Sequence, residues 1–585
     1  MSAIENATSA PYTVGDHLVD RLAELGIDRV FGVPGDYSLA LLDHVVAHPG
    51  VEWTGCTNEL NAGYAADGYG RMRGIAALFT TYGVGELSAL NAIAGSFAEH
   101  VPVVHVVGAP SRASQAARRL VHHTLGDGDF THFAGMHAGV TCARAALTAD
   151  NAAPEIDRVL TAVRDQGLPG YLLVPADVAD APVGRPSRPL PVTDDTSDPA
   201  VVAAFVDAAA RLLGRVRSVL DVTVLAGLLV HRLGATRQLM TLVDAGPLPH
   251  ATTLWAKSLV DESSPRFAGT YAGAGSAEQT RSAVEDAGAL ILAGVQFTDL
   301  NSGMFTQHID RDRTIDLGGR SAHVGAATFS PLELPTALAA LTALISELAG
   351  RETGAARSMP TPQPTLSEAP SAPSVPDEGT ALSHSQLWAA VTAFLRPGDI
   401  VLADQGTAFY GVATHRLPAD VTFIGQPLWA SIGYTLPAMF GACTARPGRR
   451  GVLLIGDGAA QMTIQELASV IRAELPAVVI VVDNNGYAVE RAIHGPTQPY
   501  NDISRWDWTV APQLFGGSAA ATPPHAVRVT THSELQSALA AAEDQPRRLT
   551  LVQAVLPPTE VPELLTTLAQ ALAHANSARA TELPR

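Results

Sequence analysis

The stretch GVLLIGDGAAQMTIQELASVIRAELPAVVIVVDNNG, residues 451–486, admits few structures. Its first apolar run ends at Gly456-Asp457-Gly458 and its second, AVVIVVD, ends at Asn484-Asn485-Gly486. Between them Ile464, Leu467, Ala468 and Ile471 recur at helical spacing, and Thr463 stands three residues before Glu466, the spacing of a capping box. Unbroken apolar runs flanking such a helix describe a βαβ unit with parallel strands. Parallel neighbours end on one crevice, so Asp457 and Asn484 converge there. A carboxylate, an amide oxygen and the Gly486 carbonyl are hard oxygen donors suited to Mg2+, whose shell water and diphosphate oxygens complete. The glycines let backbone approach those phosphates. A lone Gly-Asp-Gly is more often a plain turn, but two aligned strand ends with oxygen donors are a cation-diphosphate pattern. The other copy, residues 126–128, lacks a strand before it and a capped helix behind it, and reads as a flexible loop.

A chain of 585 residues exceeds one core. Pro-rich segments at 182–199 and 351–380 interrupt three blocks of alternating strand-like and helical patterns, the pattern of α/β folds. The expectation is an α/β protein of three domains, 1–190, 191–350 and 381–585, with 351–380 a linker, each domain a mostly parallel sheet flanked by helices. The first and third blocks share a plan, a capped helix followed by polar motifs after strand-like runs, which suits two cofactor-holding halves.

A formal net charge of -19 without a basic stripe argues against nucleic acid and for small-molecule partners. Cys56, Cys142 and Cys443 have neither metal-ligand spacing nor an even count, so a reducing compartment is expected. The N-terminus carries no signal pattern, and VLDVTVLAGLLVHRL (219–233) is too short and too charged to span a bilayer. A cytoplasmic protein with no membrane partner is expected.

Five further stretches carry a resemblance: VFGVPGDYSLALLD (30–43), TNELNAGYAADGYGR (57–71), LVHHTLGDGDF (120–130), NNGYAVERAIHG (484–495) and YNDISRWDW (500–508). With the Gly-Asp-Gly to Asn-Asn element, they resemble the thiamine-diphosphate-dependent enzymes, and within them the pyruvate decarboxylase and indolepyruvate decarboxylase group. The likeness covers nearly the whole chain. The Gly-Asp-Gly element alone indicates only the cofactor, shared with synthases, oxidases and ketolases; the adjacent histidines separate the decarboxylase group from acetolactate synthases.

The resemblance implies non-oxidative decarboxylation of a 2-keto acid to an aldehyde and carbon dioxide, with thiamine diphosphate and Mg2+. It implies that Glu59 hydrogen-bonds the aminopyrimidine ring, from a helix start that suits a carboxylate. Asp36, His122, His123 and Glu490 would supply and relay the proton. Adjacent side chains point in different directions, so one histidine is expected to face the reacting carbon and the other to orient Asp36 or close the loop. Gly456, Asp457, Gly458, Ala459, Ala460, Asn484, Gly486 and Tyr487 would hold the diphosphate, with Asp457, Asn484 and Gly486 on the metal. Thr407 and the Ala430 carbonyl would grip the aminopyrimidine, with Ile432 under the bent cofactor. On residue type alone Glu59 is a favourable surface charge, Ile432 is core and the histidine pair is an exposed loop.

Leu300, Gln405, Phe409, Tyr410, Val489, Ile493, Leu568 and Leu572 would line an apolar substrate slot. Pyruvate-restricted members fill the positions resembling Leu300 and Phe409 with large aromatics, and Leu300 makes room. ADQGTAFYG (403–411) resembles the indolepyruvate, phenylpyruvate and branched-chain keto acid decarboxylases, which implies a broad range. The family also implies a homodimer or homotetramer with active sites at the subunit interface. The central block offers one weak glycine motif, AGAGSAEQT (272–280), and a structural or regulatory role is expected for it. A carboligating synthase and a catalytically silent cofactor-binding homologue are the alternatives.

Overall fold

Apolar runs without polar alternation become the middle strands of three sheets, because a parallel strand covered by helices on both faces has no solvent side. A computed structural model describes residues 11–192, 195–355 and 380–577. The first sheet contains β1 (Arg29–Gly32), β2 (Glu52–Gly55), β3 (Ala76–Thr81), β4 (Val103–Ala109), β5 (Ala143–Ala146) and β6 (Gly170–Pro175), all parallel in the order β2-β1-β3-β4-β6-β5. Every residue of β3, β4 and β6 is buried.

The central sheet contains β7 (Val222–Ala226), β8 (His250–Thr253), β9 (Phe267–Tyr271), β10 (Ala289–Ala293), β11 (Thr314–Leu317), β12 (Ala322–Val324) and β13 (Ala327–Phe329). Its order is β13-β12-β11-β10-β7-β8-β9, parallel except for the β11-β12-β13 edge. The third contains β14 (Ile400–Ala403), β15 (Thr422–Ile424), β16 (Gly451–Gly456), β17 (Ala477–Asp483), β18 (His525–Val529) and β19 (Thr550–Val555). It is all parallel, in the order β15-β14-β16-β17-β19-β18. Position for position, this is the strand order of the first sheet.

Capped helices open both of these blocks as expected: Val14–Glu24 with reciprocal bonds between Thr13 and Asp16, and His384–Phe394 with Ser383 and Gln386. Three local expectations differ. The capping box at Thr463 does not form, because the chain turns into helix directly at the end of β16, over Asp457–Thr463, and the Thr463 hydroxyl donates to the Gly433 carbonyl at 2.7 Å. The helix Leu334–Ala355 runs into the segment expected as linker, while residues 356–379 of that segment lie outside the described residues. The loop at 126–128 is irregular, as expected, but is tied back on itself by a 2.7 Å contact between Asp127 and His132.

The chain divides into two compact units, Met1–Thr193 with Phe440–Arg446, and Asp194–Met439 with Pro447–Arg585. In the second, the central sheet is locked to the third by a buried ion pair. Lys257 donates to Glu262 at 2.9 Å and to the His415 carbonyl at 2.7 Å, and Glu262 also accepts from the Leu417 amide at 2.9 Å. Arg416 adds bonds to the carbonyls of Glu262, Ser264 and Phe267. Replacing one partner strands the other charge out of water. Lys257→Met should therefore destabilise the second unit by about 3–5 kcal/mol, read as a lower denaturant midpoint.

Candidate active site

The carboxyl ends of β14, β16 and β17 lie side by side, and each is followed by a polar turn. Asp457, the first residue after β16, accepts from the Gly458 amide at 2.8 Å through one oxygen and from the Gly486 amide at 3.0 Å through the other. The Gly-Asp-Gly and Asn-Asn-Gly turns are thus joined through one carboxyl group. Burial pushes that group up to about 7; the amides of Gly458 and Gly486 pull it down, and the Asp483 charge raises it further. Asn484 is buried beside it. Both glycines are required by close approach. A Cβ at Gly458 would stand 2.6 Å from the Tyr487 ring, and one at Gly486, with φ at +126°, would stand 2.1 Å from the Asn501 carbonyl oxygen.

These turns border a cavity of about 570 Å³, within the usual size of a small-molecule site. Gly456, Asp457, Gly458, Ala459, Asn484, Gly486, Tyr487 and Glu490 line it together with Thr407, Ala430 and Ile432. Ala430 takes a left-handed backbone, φ +55°, unusual for a residue with a side chain. Glu490 is exposed on the short helix Ala488–His494. Leu300, Gln405, Tyr410, Val489, Ile493, Leu568 and Leu572 form the apolar part, Leu568 and Leu572 coming from the helix Glu563–Ser577 and Leu300 from the loop after β10. The central sheet therefore contributes a wall of this cavity as well as structural support. The Gln405 amide nitrogen donates to the Tyr410 hydroxyl at 2.7 Å, and Gln405 Oε1 is buried without a partner among the described residues.

Two residues expected here face elsewhere. Phe409 and Tyr410 are neighbours on the helix Thr407–Ala413, about 100° apart around its axis, and they meet different surroundings. Tyr410 lines the cavity; Phe409 packs in the core against Phe423, where a Cβ on Gly425 would strike its ring. Ala460 is fully buried within Asp457–Thr463 and does not reach the cavity.

In the first unit, Asp36 opens a short 3-10 turn after β1, and the His122 Nε2 lies 2.8 Å from its carboxylate. The His122 ring stacks on Tyr37 at 4.8 Å. His123 has φ +62°, which swings its ring back beside its neighbour, 4.7 Å away. One ring nitrogen of each histidine and one Asp36 oxygen lie within 4.8 Å of one another. The expectation that adjacent side chains diverge fails here because it assumes ordinary backbone at both residues. Asp36 and His122 are about half exposed. Glu59 begins the helix Glu59–Arg73, behind the Asn58 cap, and is half-buried.

Two buried charges that sequence reasoning did not single out hold the turns of the second unit. Asp404, at the end of β14, accepts from the Gly433 amide (3.1 Å), the Thr435 amide (3.2 Å) and the Thr435 hydroxyl (2.6 Å), fixing the segment that carries Ala430 and Ile432. Arg491 donates to the carbonyls of Asn484, Asn485 and Asn501 and pairs with Asp502 at 2.8 Å. That explains the YND stretch, which buttresses the Asn-Asn-Gly turn from behind. An acid closing an apolar run, in Asp404, was the available signal; Arg491 had none.

Three family models match the chain: the thiamine pyrophosphate enzyme N-terminal TPP binding domain over residues 12–133, the central domain over 206–341 and the C-terminal TPP binding domain over 404–554. The alpha-keto-acid decarboxylase of Mycolicibacterium paratuberculosis is 53% identical over 568 residues, 97% of this chain and 98% of that protein. That of Mycobacterium tuberculosis is 53% identical over 569 residues, 97% and 99% of the two chains. Turns joined through a buried carboxyl group, an apolar cavity beside them and full-length likeness agree, and the chain belongs to the alpha-keto-acid decarboxylase family of thiamine pyrophosphate enzymes.

Proposed function

We infer that this protein decarboxylates 2-keto acids to aldehydes and carbon dioxide, using thiamine pyrophosphate held with Mg2+ at the third sheet. The observation that carries the reading is the meeting of the Asp457, Asn484 and Gly486 turns at an apolar cavity bordered by Glu490. Thiamine pyrophosphate supplies the carbon nucleophile and takes up the electrons left when carbon dioxide departs. Asp457, the Asn484 side chain and the Gly486 carbonyl would hold the cation, an all-oxygen set that suits Mg2+. Gly456, Gly458 and Ala459 would let the diphosphate approach, Thr407 and the Ala430 carbonyl would hold the aminopyrimidine end, and Ile432 would pack against the cofactor. Glu59 would accept a hydrogen bond from the aminopyrimidine. Asp36, His122, His123 and Glu490 would hold and deliver the proton the reacting carbon needs after carbon dioxide leaves.

Asp36, Glu59 and the histidines belong to one compact unit and the cavity to the other. We read the working site as assembled from two copies of the chain, in a homodimer or homotetramer. An active monomer by gel filtration would overturn that reading. The slot behind the cofactor site is apolar and takes long or aromatic side chains by burial, so the range is broad.

With thiamine pyrophosphate, Mg2+ and phenylpyruvate or 2-ketoisovalerate, the purified protein should release carbon dioxide and aldehyde. Cofactor binding without carbon dioxide from any keto acid would indicate a silent homologue, and acetolactate from pyruvate a synthase. Leu300→Trp should cut kcat/KM for phenylpyruvate by about 10- to 100-fold while pyruvate changes less. Glu59→Gln should lower turnover with diphosphate binding largely intact. A cation requires Asp457 ionised, and burial pushes its carboxyl up to about 7. Protons therefore compete with the cation as pH falls, and Mg2+ affinity, followed by calorimetry with the cofactor present, should drop about tenfold from pH 8 to pH 6.

A further inference from the structure

The helix Val84–Ala98 begins against both sets of proton-handling groups in the first unit. The amide of Gly83, just before it, donates to Glu86 Oε1 at 2.9 Å, and the Tyr171 hydroxyl donates to Glu86 Oε2 at 2.8 Å. Glu86 is fully buried. Gly83, at φ +66°, touches the histidine loop backbone to backbone: a Cβ there would stand 2.1 Å from the His123 carbonyl oxygen and 3.0 Å from the Phe133 ring. Two residues on, a Cβ at Gly85 would stand 3.3 Å from Glu59 Oε1. One turn of chain therefore packs against His123 on one side and Glu59 on the other, and Glu86 ties that turn to β6.

We propose that Glu86 is a positioning residue, which holds the Gly83 turn so that the His122–His123 loop seats over Asp36. It never touches substrate or cofactor. The proposal rests on reading Asp36, His122 and His123 as the proton relay. Around Glu86 stand Tyr171 of β6, Tyr82 at the end of β3 and His137, whose Nδ1 lies 3.7 Å away, with His105 of β4 behind His137 at 5.2 Å between rings. Arg144 is the cation acting on His137 and Tyr171. Burial pushes the Glu86 carboxyl up to about 7, against the two donated hydrogen bonds. What the turn requires is two hydrogen-bonding atoms of the right shape, which a glutamine also provides, accepting from Gly83 and donating to the Tyr171 oxygen.

The test uses full-length holoenzyme with thiamine pyrophosphate and Mg2+. Glu86→Leu should lower kcat by about 100-fold, the scale of a misplaced catalytic group, with KM for the keto acid within about threefold. Glu86→Gln should restore kcat to within about threefold of wild type, because it keeps both bonds. Should the leucine variant not fold, Gly83→Ala serves instead: its methyl pushes on the His123 carbonyl and should give the same loss in kcat at unchanged KM. Crystal structures provide a readout independent of turnover, since the 2.8 Å His122 to Asp36 contact should persist in the glutamine variant and be lost in the leucine or alanine one. An intact contact or near-normal kcat in the leucine or alanine variant would overturn the proposal, as would a glutamine variant as impaired as the leucine one. Failure of wild-type protein to release carbon dioxide would instead remove the functional reading, and the crystal structures would still decide whether Glu86 seats the loop.

Discussion

The alignment of β14, β16 and β17 is the constraint on which the site depends. Gly456 pairs with Val482, and Ala403 with Leu454, so the three strands finish almost level and their turns open on one side. A two-residue slip of β17 would keep its apolar faces inward but carry Asn484 about 7 Å from Asp457. Apolar burial alone does not forbid that slip. The amide of Gly486 bonded to Asp457 does, since it joins two strand ends through one carboxyl group. The same bond that draws the oxygen donors together thus fixes the pairing of the strands.

Turns at the ends of buried strands expose backbone groups where water is scarce, and each needs a partner. Here the partners are charged. Arg491 collects three carbonyls behind the Asn-Asn-Gly turn, and Asp404 collects two amides and a hydroxyl from the segment bearing Ala430 and Ile432. Both are buried and both would be costly alone. Their placement gives loops the rigidity of the sheet, which a site requires when its donors sit on turns rather than on strands.

Much of this was legible from residues 451–486, because unbroken apolar runs and polar strand ends have a direct structural meaning. The sheets and the convergence of Asp457 with the Asn-Asn-Gly turn follow from that grammar, whereas most of the cavity lining was implied only by the family resemblance. The parts that were not legible depend on orientation. Phe409 and Tyr410 are equally plausible pocket residues until helix phase decides between them. The pairing of His122 with His123 turns on one left-handed residue, for which a histidine gives no warning. The expected cap at Thr463 had the right spacing, but a tertiary partner, the Gly433 carbonyl, claims its hydroxyl. Arg491 reads as an ordinary surface cation until the fold wraps residues 500–502 around it.

Leu300 reaches the cavity from a loop of the central sheet, whereas the diphosphate turns belong to the third. On the proposed function, selection could therefore reshape what the enzyme accepts by editing one loop of a neighbouring sheet, leaving undisturbed the turns that carry the chemistry. A scaffold divided in this way can drift from one metabolite to another by small, survivable steps.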